Sequence, residues 1–217
     1  MKIPDPPLLV ISDRHQARRP LEEIAEAMFA AGCRWFSLRE KDLPPAERRD
    51  LLAALVVVGR RYKATVMVHD DIDAVLVLGA AGVHLPSGKS PAFARGRLPG
   101  RLIGASAHSA SEAQTLLRGG ADYVTISPVF MTASKPGYGP ALGLDGLAGA
   151  VAQASGGVVA LGGVTAANAA QCLAAGALGI AVMGEIMRAS DPRAATEAIL
   201  LALKAHQRHS PSLPNKN

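Results

Sequence analysis

The residues best suited to chemistry in this sequence stand at or just past the ends of short apolar runs. Arg39 and Lys41 follow Trp35-Phe36-Ser37-Leu38, His69 closes Thr65-Val66-Met67-Val68, and Ser106 closes Leu102-Ile103-Gly104-Ala105. Gly162 and Gly163 follow Val158-Val159-Ala160-Leu161, and Met183-Gly184 follow Gly179-Ile180-Ala181-Val182. Guanidinium and ammonium groups bind anions, and an imidazole with its ordinary pKa near neutrality can move a proton. Glycine-bearing turns from strand to helix let backbone N–H groups reach a phosphate with no side chain in the way. Each turn alone could simply be tight. Two in succession favour phosphate binding.

Such groups can meet only if the fold gathers strand ends. Apolar runs at Leu8–Ser12, Trp35–Arg39, Thr65–His69, Gly82–Leu85, Leu102–Ser106, Tyr123–Ile126, 158–160 and 179–182 alternate with stretches of helical spacing, such as Leu21, Ile24, Met28 and Ala31. Ser109-Ala110-Ser111-Glu112 predicts a capping box, Thr165 an N-cap and Gly176 a helix stop. Pro86, Ser87, Gly88 and Pro91 predict little more than one turn near Phe93. Eight alternations predict an α/β fold, a single (β/α)8 TIM barrel, with an open doubly wound sheet as the lesser alternative. Residues 1–205 form the expected barrel domain and 206–217 a flexible C-terminal tail.

Strand alternation then sends Ser37, Arg39 and Lys41 inward, with His69, Ser106, His108, Thr125 and Ser127. The barrel mouth is therefore expected to be polar and cationic. An Arg39–Glu40 ion pair is the plainer alternative, and His84, His108 and His15 read as structural. The glycine-, proline- and hydroxyl-rich stretch from Ser127 to about Gly143 is long for a connection, which points to a loop that acts on a ligand.

The 217 residues are 49% hydrophobic, enough for one substantial core, and the formal charge of +5 favours anionic partners. Basic residues are not interleaved with aromatics, which argues against nucleic acid. No apolar stretch reaches the roughly 18 residues of a membrane span. Cys33 and Cys172 have neither metal-ligand nor disulfide-framework spacing. A cytoplasmic protein is expected, with small phosphorylated ligands and a homodimer left open.

In its order of motifs the chain resembles the thiamine-phosphate synthase superfamily, which includes the related thiazole tautomerases. The marks are Ile11-Ser12-Asp13-Arg14, Leu38-Arg39-Glu40-Lys41, Asp70, Gly82-Val83-His84-Leu85, Gly104-Ala105-Ser106, the stretch from Ser127 to Lys135, Leu161-Gly162-Gly163 and Ala181-Val182-Met183-Gly184. Each mark is weak alone; their order and spacing over nearly the whole chain are specific. The resemblance implies coupling of hydroxymethylpyrimidine pyrophosphate to thiazole phosphate with release of pyrophosphate. Arg39, Lys41 and Lys135 would then be cations for the departing pyrophosphate, Ser106, Thr132 and Ser134 hydroxyl donors to it, and Gly162, Gly163, Met183 and Gly184 the thiazole phosphate cradle. It also implies Asp70 as a magnesium ligand.

His69 stands where synthases have asparagine, and Lys89 where they have a second magnesium carboxylate. Mg2+ is accordingly expected to bind weakly or to arrive on the substrate. Two alternatives stay open: a thiazole phosphate tautomerase with His69 moving the proton, since Pro128 occupies the tautomerase histidine position, and a non-catalytic phosphate-ligand binder or regulator.

Overall fold

The computed structural model describes residues 3–132, 140–154 and 156–209. Eight parallel strands, β1 (Leu8–Ile11), β2 (Trp35–Leu38), β3 (Thr65–His69), β4 (Gly82–Leu85), β5 (Leu102–Ala107), β6 (Tyr123–Ile126), β7 (Val158–Leu161) and β8 (Gly179–Val182), close in sequence order. β8 returns to pair with β1 through Leu9 and Ala181. Helices α1 (Leu21–Ala30), α2 (Pro45–Arg61), α3 (Ile72–Leu78), α4 (Pro91–Arg97), α5 (Ala110–Arg118), α6 (Gly143–Ala154), α7 (Ala169–Ala174), α8 (Gly184–Met187) and α9 (Pro192–His209) follow the strands in turn. The expected TIM barrel is the fold.

Both faces of these strands are covered, so they read as apolar runs. Leu8, Val10, Phe36, Leu38, Val66 and Val68 pack outward against the helices in the larger core. The alternate residues Leu9, Ile11, Trp35, Met67 and Tyr123 fill the barrel interior. There the Trp35 and Tyr123 rings meet edge-to-face at 4.7 Å, and the Trp35 Nε1–H donates to Met67 Sδ at 3.1 Å. This plug closes the barrel below Ser37, His69 and Ser106, so the polar inward residues face the C-terminal mouth.

Four local details differ from the sequence expectations. α4 runs for seven residues rather than one turn, because Ser90 caps it and Pro91 occupies its first turn. It buries Pro91 and Ala94 while Phe93 stays exposed. The N-cap of α7 is Asn168, not Thr165: the Thr165 N–H donates to Asn168 Oδ1 at 2.8 Å, which delays the helix. At α5, Ser109 Oγ accepts from Glu112 N–H as expected, but Glu112 Oε2 accepts from His108 N–H at 2.8 Å instead of Ser109. Finally, α9 continues to His209, past the expected start of the tail. Gly176 has φ 91° and ends α7 as anticipated.

Candidate active site

The strand ends enclose a cavity of about 500 Å³. Arg39, Lys41, His69, Ser106, Thr132, Gly162, Gly163, Met183 and Gly184 all line it. Asp70 lies beside it, in a smaller recess with Glu40, Lys41, Arg48, His69 and Pro86. Ser134 and Lys135 fall outside the described residues.

One wall is cationic, and buried hydrogen bonds set its direction. Ser12 Oγ donates to Glu40 Oε1 at 2.6 Å and accepts from the Arg39 N–H at 2.7 Å. Glu40, only 2% exposed, also accepts from Arg14 N–H at 3.2 Å and from Arg14 Nη1 at 3.4 Å. Its carboxylate is thus committed to β1 and the loop after it, and Arg39 and Lys41 are left to the cavity. The Arg39–Glu40 pair does not form. Burial lowers the Lys41 pKa, Arg39 lowers it further, and Asp70 acts the other way.

The floor is polar but uncharged. The His69 and His84 rings lie 5.2 Å apart. His84 Nδ1 is 3.0 Å from the Tyr123 hydroxyl and Nε2 is 3.0 Å from Ser106 Oγ. Burial pushes His84 down to about 3, helped by Arg39. Burial likewise pushes His69 down to about 2, with His84, Arg39, Lys41 and Lys89 adding to the effect. Neither imidazole carries charge near neutral pH. Next to them Ser37 is 1% exposed, lines the cavity, and its Oγ has no hydrogen-bond partner among the described residues. An unpaired buried hydroxyl costs about 1–3 kcal/mol, and a polar ligand group would remove that cost.

The far rim is built from glycine. Gly162 and Gly163 have φ of 95° and 65°, a region that side-chain-bearing residues rarely adopt. They also let the segment after β6 dock closely. A Cβ on Gly162 would lie 2.8 Å from Pro128 Cα, and one on Gly163 would lie 2.7 Å from Phe130 Cβ. The Val129 and Phe130 N–H groups donate to Leu161 and Gly162 carbonyls at 2.9 Å. Among the described residues, no protein acceptor receives the amide hydrogens of Gly163 or Gly184.

Asp70 owes its position to a break in strand alternation. β3 ends at His69 and Asp70 has φ 57°, which turns its side chain to the mouth instead of outward. Lys89 Nζ sits 2.8 and 2.9 Å from its two carboxylate oxygens. Among the described residues no cluster of three or more His, Cys, Asp or Glu could hold a metal ion.

Ser37 and Arg188 line the cavity and had no assigned role in the sequence. Parity placed Ser37 inward, but only its missing partner marks it out. Arg188 was overlooked, although its signal was present: it stands four residues after Gly184, one helical turn above it.

A closed β/α barrel with an uncharged polar floor between a cationic wall and a glycine rim is the architecture of a barrel enzyme acting on an anionic substrate. The family model described as thiamine monophosphate synthase matches residues 8–186. The chain is 39% identical to the thiamine-phosphate synthase of Methanoculleus marisnigri, over 93% of this chain and 98% of that one. It is 37% identical to that of Roseiflexus sp., covering 88% and 82%. A solved thiamine phosphate pyrophosphorylase from Pyrococcus furiosus superposes with a TM-score of 0.82 at 33% identity, over 92% of this chain and 96% of that one. The chain belongs to the thiamine monophosphate synthase family.

Proposed function

We propose that this cavity joins hydroxymethylpyrimidine pyrophosphate to thiazole phosphate in thiamine biosynthesis. The observation that carries the reading is the order of surfaces in one cavity: a cationic wall, a neutral hydrogen-bonding floor and a rim of open amides. The bond from the pyrimidine methylene carbon to pyrophosphate breaks, its electron pair leaves with the pyrophosphate, and the thiazole nitrogen lone pair forms the new C–N bond.

Arg39 and Lys41 stabilise the negative charge that develops on the leaving group, joined by the hydroxyls of Ser106 and Thr132 and, from the segment beyond Thr132, by Ser134 and Lys135. The neutral floor of Ser37, His69 and His84 receives the pyrimidine ring, where a charged floor would oppose positive charge developing on the methylene carbon. The amides of Gly163 and Gly184, with Gly162 and Met183 shaping the turns, hold the thiazole phosphate.

Proton transfer by His69, as a tautomerase would need, is poorly served. An imidazole held near pKa 2 by burial and neighbouring cations is a weak base. The relatives named above are synthases, which supports the same choice.

The magnesium expected of the family fits this donor set poorly as a resident ion. Asp70 is paired with Lys89, and the other nearby carboxylate, Glu40, is buried in its bonds to Ser12 and Arg14. A divalent ion would reach the cavity held by substrate phosphates and water, as this ion often is. No described helix is long and apolar enough to cross a membrane. Two buried free cysteines suit the reducing cytoplasm where we place the reaction.

The test is to incubate purified protein with both substrates, with and without magnesium, and to follow thiamine phosphate and pyrophosphate. A parallel incubation supplies the unaromatised thiazole phosphate alone. Coupling with equimolar pyrophosphate is expected. Isomerisation of the thiazole without coupling would overturn the assignment, and tight ligand binding without turnover would favour a binder.

A further inference from the structure

Arg188 lines the cavity beside Gly184, on the turn that follows β8. Its guanidinium lies directly over the Gly184 α-carbon, so that the three atoms nearest to a Cβ there would all belong to the Arg188 head group. Glycine at 184 therefore makes room for a cation. The head group is also tethered from a distant part of the chain. Arg188 Nη1 donates to Gln16 Oε1, and Gln16 Nε2 donates to Asp13 Oδ2 at 2.5 Å and approaches Met183 Sδ at 3.7 Å. Asp13 is fixed in turn by the His15 N–H, which donates to Oδ1 at 3.1 Å. The loop after β1 thus holds a guanidinium against the glycine rim.

Charge at this end of the cavity favours the same conclusion. Glu185 lines it as well, and Asp13 lies behind Gln16. Backbone amides alone would have to hold a phosphate dianion against those carboxylates. A guanidinium beside the same amides offsets them and presents a planar pair of donors suited to phosphate oxygens.

We propose that Arg188 is a phosphate-binding residue, which closes the glycine rim from the side-chain direction and makes the cavity select a phosphomonoester over the corresponding alcohol. This rests on the coupling reaction for the identity of the ligand, thiazole phosphate, though not for the anion site itself.

The test measures dissociation constants by calorimetry for thiazole phosphate, the unphosphorylated thiazole alcohol and inorganic phosphate. It uses the wild-type chain, Arg188→Ala, Arg188→Lys and Gly184→Ala. Gly184 does not have a positive φ, and the atoms nearest to an added Cβ are those of the guanidinium, so alanine acts first on Arg188. Loss of a charge-assisted contact is expected to weaken both phosphate ligands about 10- to 100-fold in Arg188→Ala and Gly184→Ala. The alcohol should bind as before and Arg188→Lys should recover part of the loss. Unchanged phosphate affinity in Arg188→Ala, or equal losses for the phosphate and the alcohol, would overturn the role. If thiazole phosphate fails to bind wild type while inorganic phosphate binds and depends on Arg188, the coupling reading fails and the anion site stands. If neither binds wild type, the anion site fails too.

Discussion

Lys89 holds both carboxylate oxygens of Asp70, at 2.8 and 2.9 Å, across the edge of the cavity between β3 and β4. The two residues are partly exposed, at 56% and 36%, so the pair adds little stability, about 0–1 kcal/mol. Its consequence is local charge: an ammonium neutralises the carboxylate that the family resemblance assigns to a divalent ion.

Replacing that ammonium with a carboxylate should therefore create a metal site while leaving the fold unchanged. In Lys89→Asp, magnesium binding to the ligand-free protein should become measurable by calorimetry, and the magnesium needed for half-maximal coupling should fall about tenfold. Lys89→Ala should show a smaller effect in the same direction. Magnesium binding indistinguishable from wild type in both variants would place Lys89 outside the metal's path.

The cationic wall gives a kinetic expectation. Lys41 faces the cavity because Ser12 and Arg14 keep Glu40 for themselves. Lys41→Met should slow coupling on the order of 10²- to 10³-fold, as for other donors to developing negative charge, with the urea midpoint unchanged. A wild-type rate constant would remove Lys41 from leaving-group stabilisation.

Ser37 should show the opposite balance. Ser37→Ala removes a buried hydroxyl that has no partner among the described residues, so stability should hold or rise by up to about 1 kcal/mol. Affinity for the pyrimidine substrate should fall about 5- to 10-fold, the size of one neutral hydrogen bond. Stability lost with affinity retained would show that the hydroxyl serves the fold.

The barrel and the inward set Ser37, Arg39, Lys41, His69 and Ser106 were legible because a strand has a period of two and each strand here is a short, separate apolar run. What escaped depended on events at strand and helix ends. The turn of Asp70 into the mouth requires knowing that β3 stops one residue earlier and that the next backbone step is left-handed. The α4 helix was hidden because Ser90-Pro91, which opens it, also reads as a break. The site of Arg188 depends on Gln16, 172 residues away, and no local pattern couples them.

The two floor histidines predict acid sensitivity. His84 is held at about 3 when folded against about 6.5 when exposed, and His69 shifts in the same direction. A depressed histidine contributes stability that is complete above pH 6.5 and is lost as pH falls toward the folded value, because the unfolded chain takes up the proton first. From pH 6.5 to 5.0 the loss is about 2 kcal/mol for one such histidine. Most carboxylates remain ionised over that interval, so urea midpoints there isolate the effect. The wild type should lose stability more steeply than His84→Gln, and parallel pH dependences would show that His84 is not the group responsible.

Gly163 separates the needs of the fold from those of the ligand. Its φ of 65° costs an alanine about 1–2 kcal/mol, and the new Cβ would press on Phe130. Gly163→Ala should therefore lower the urea midpoint as well as weaken thiazole phosphate binding, because the segment from Pro128 to Met131 would shift off the rim. In Gly184→Ala the new Cβ meets the flexible end of Arg188 first and no positive φ is required, so phosphate binding should weaken with the midpoint unchanged. The two glycines, alike in sequence, should thus differ in denaturation while agreeing in binding. Equal midpoints for the two variants would mean that the rim adapts to a side chain at 163, and the close docking of the segment after β6 would not be what demands glycine there.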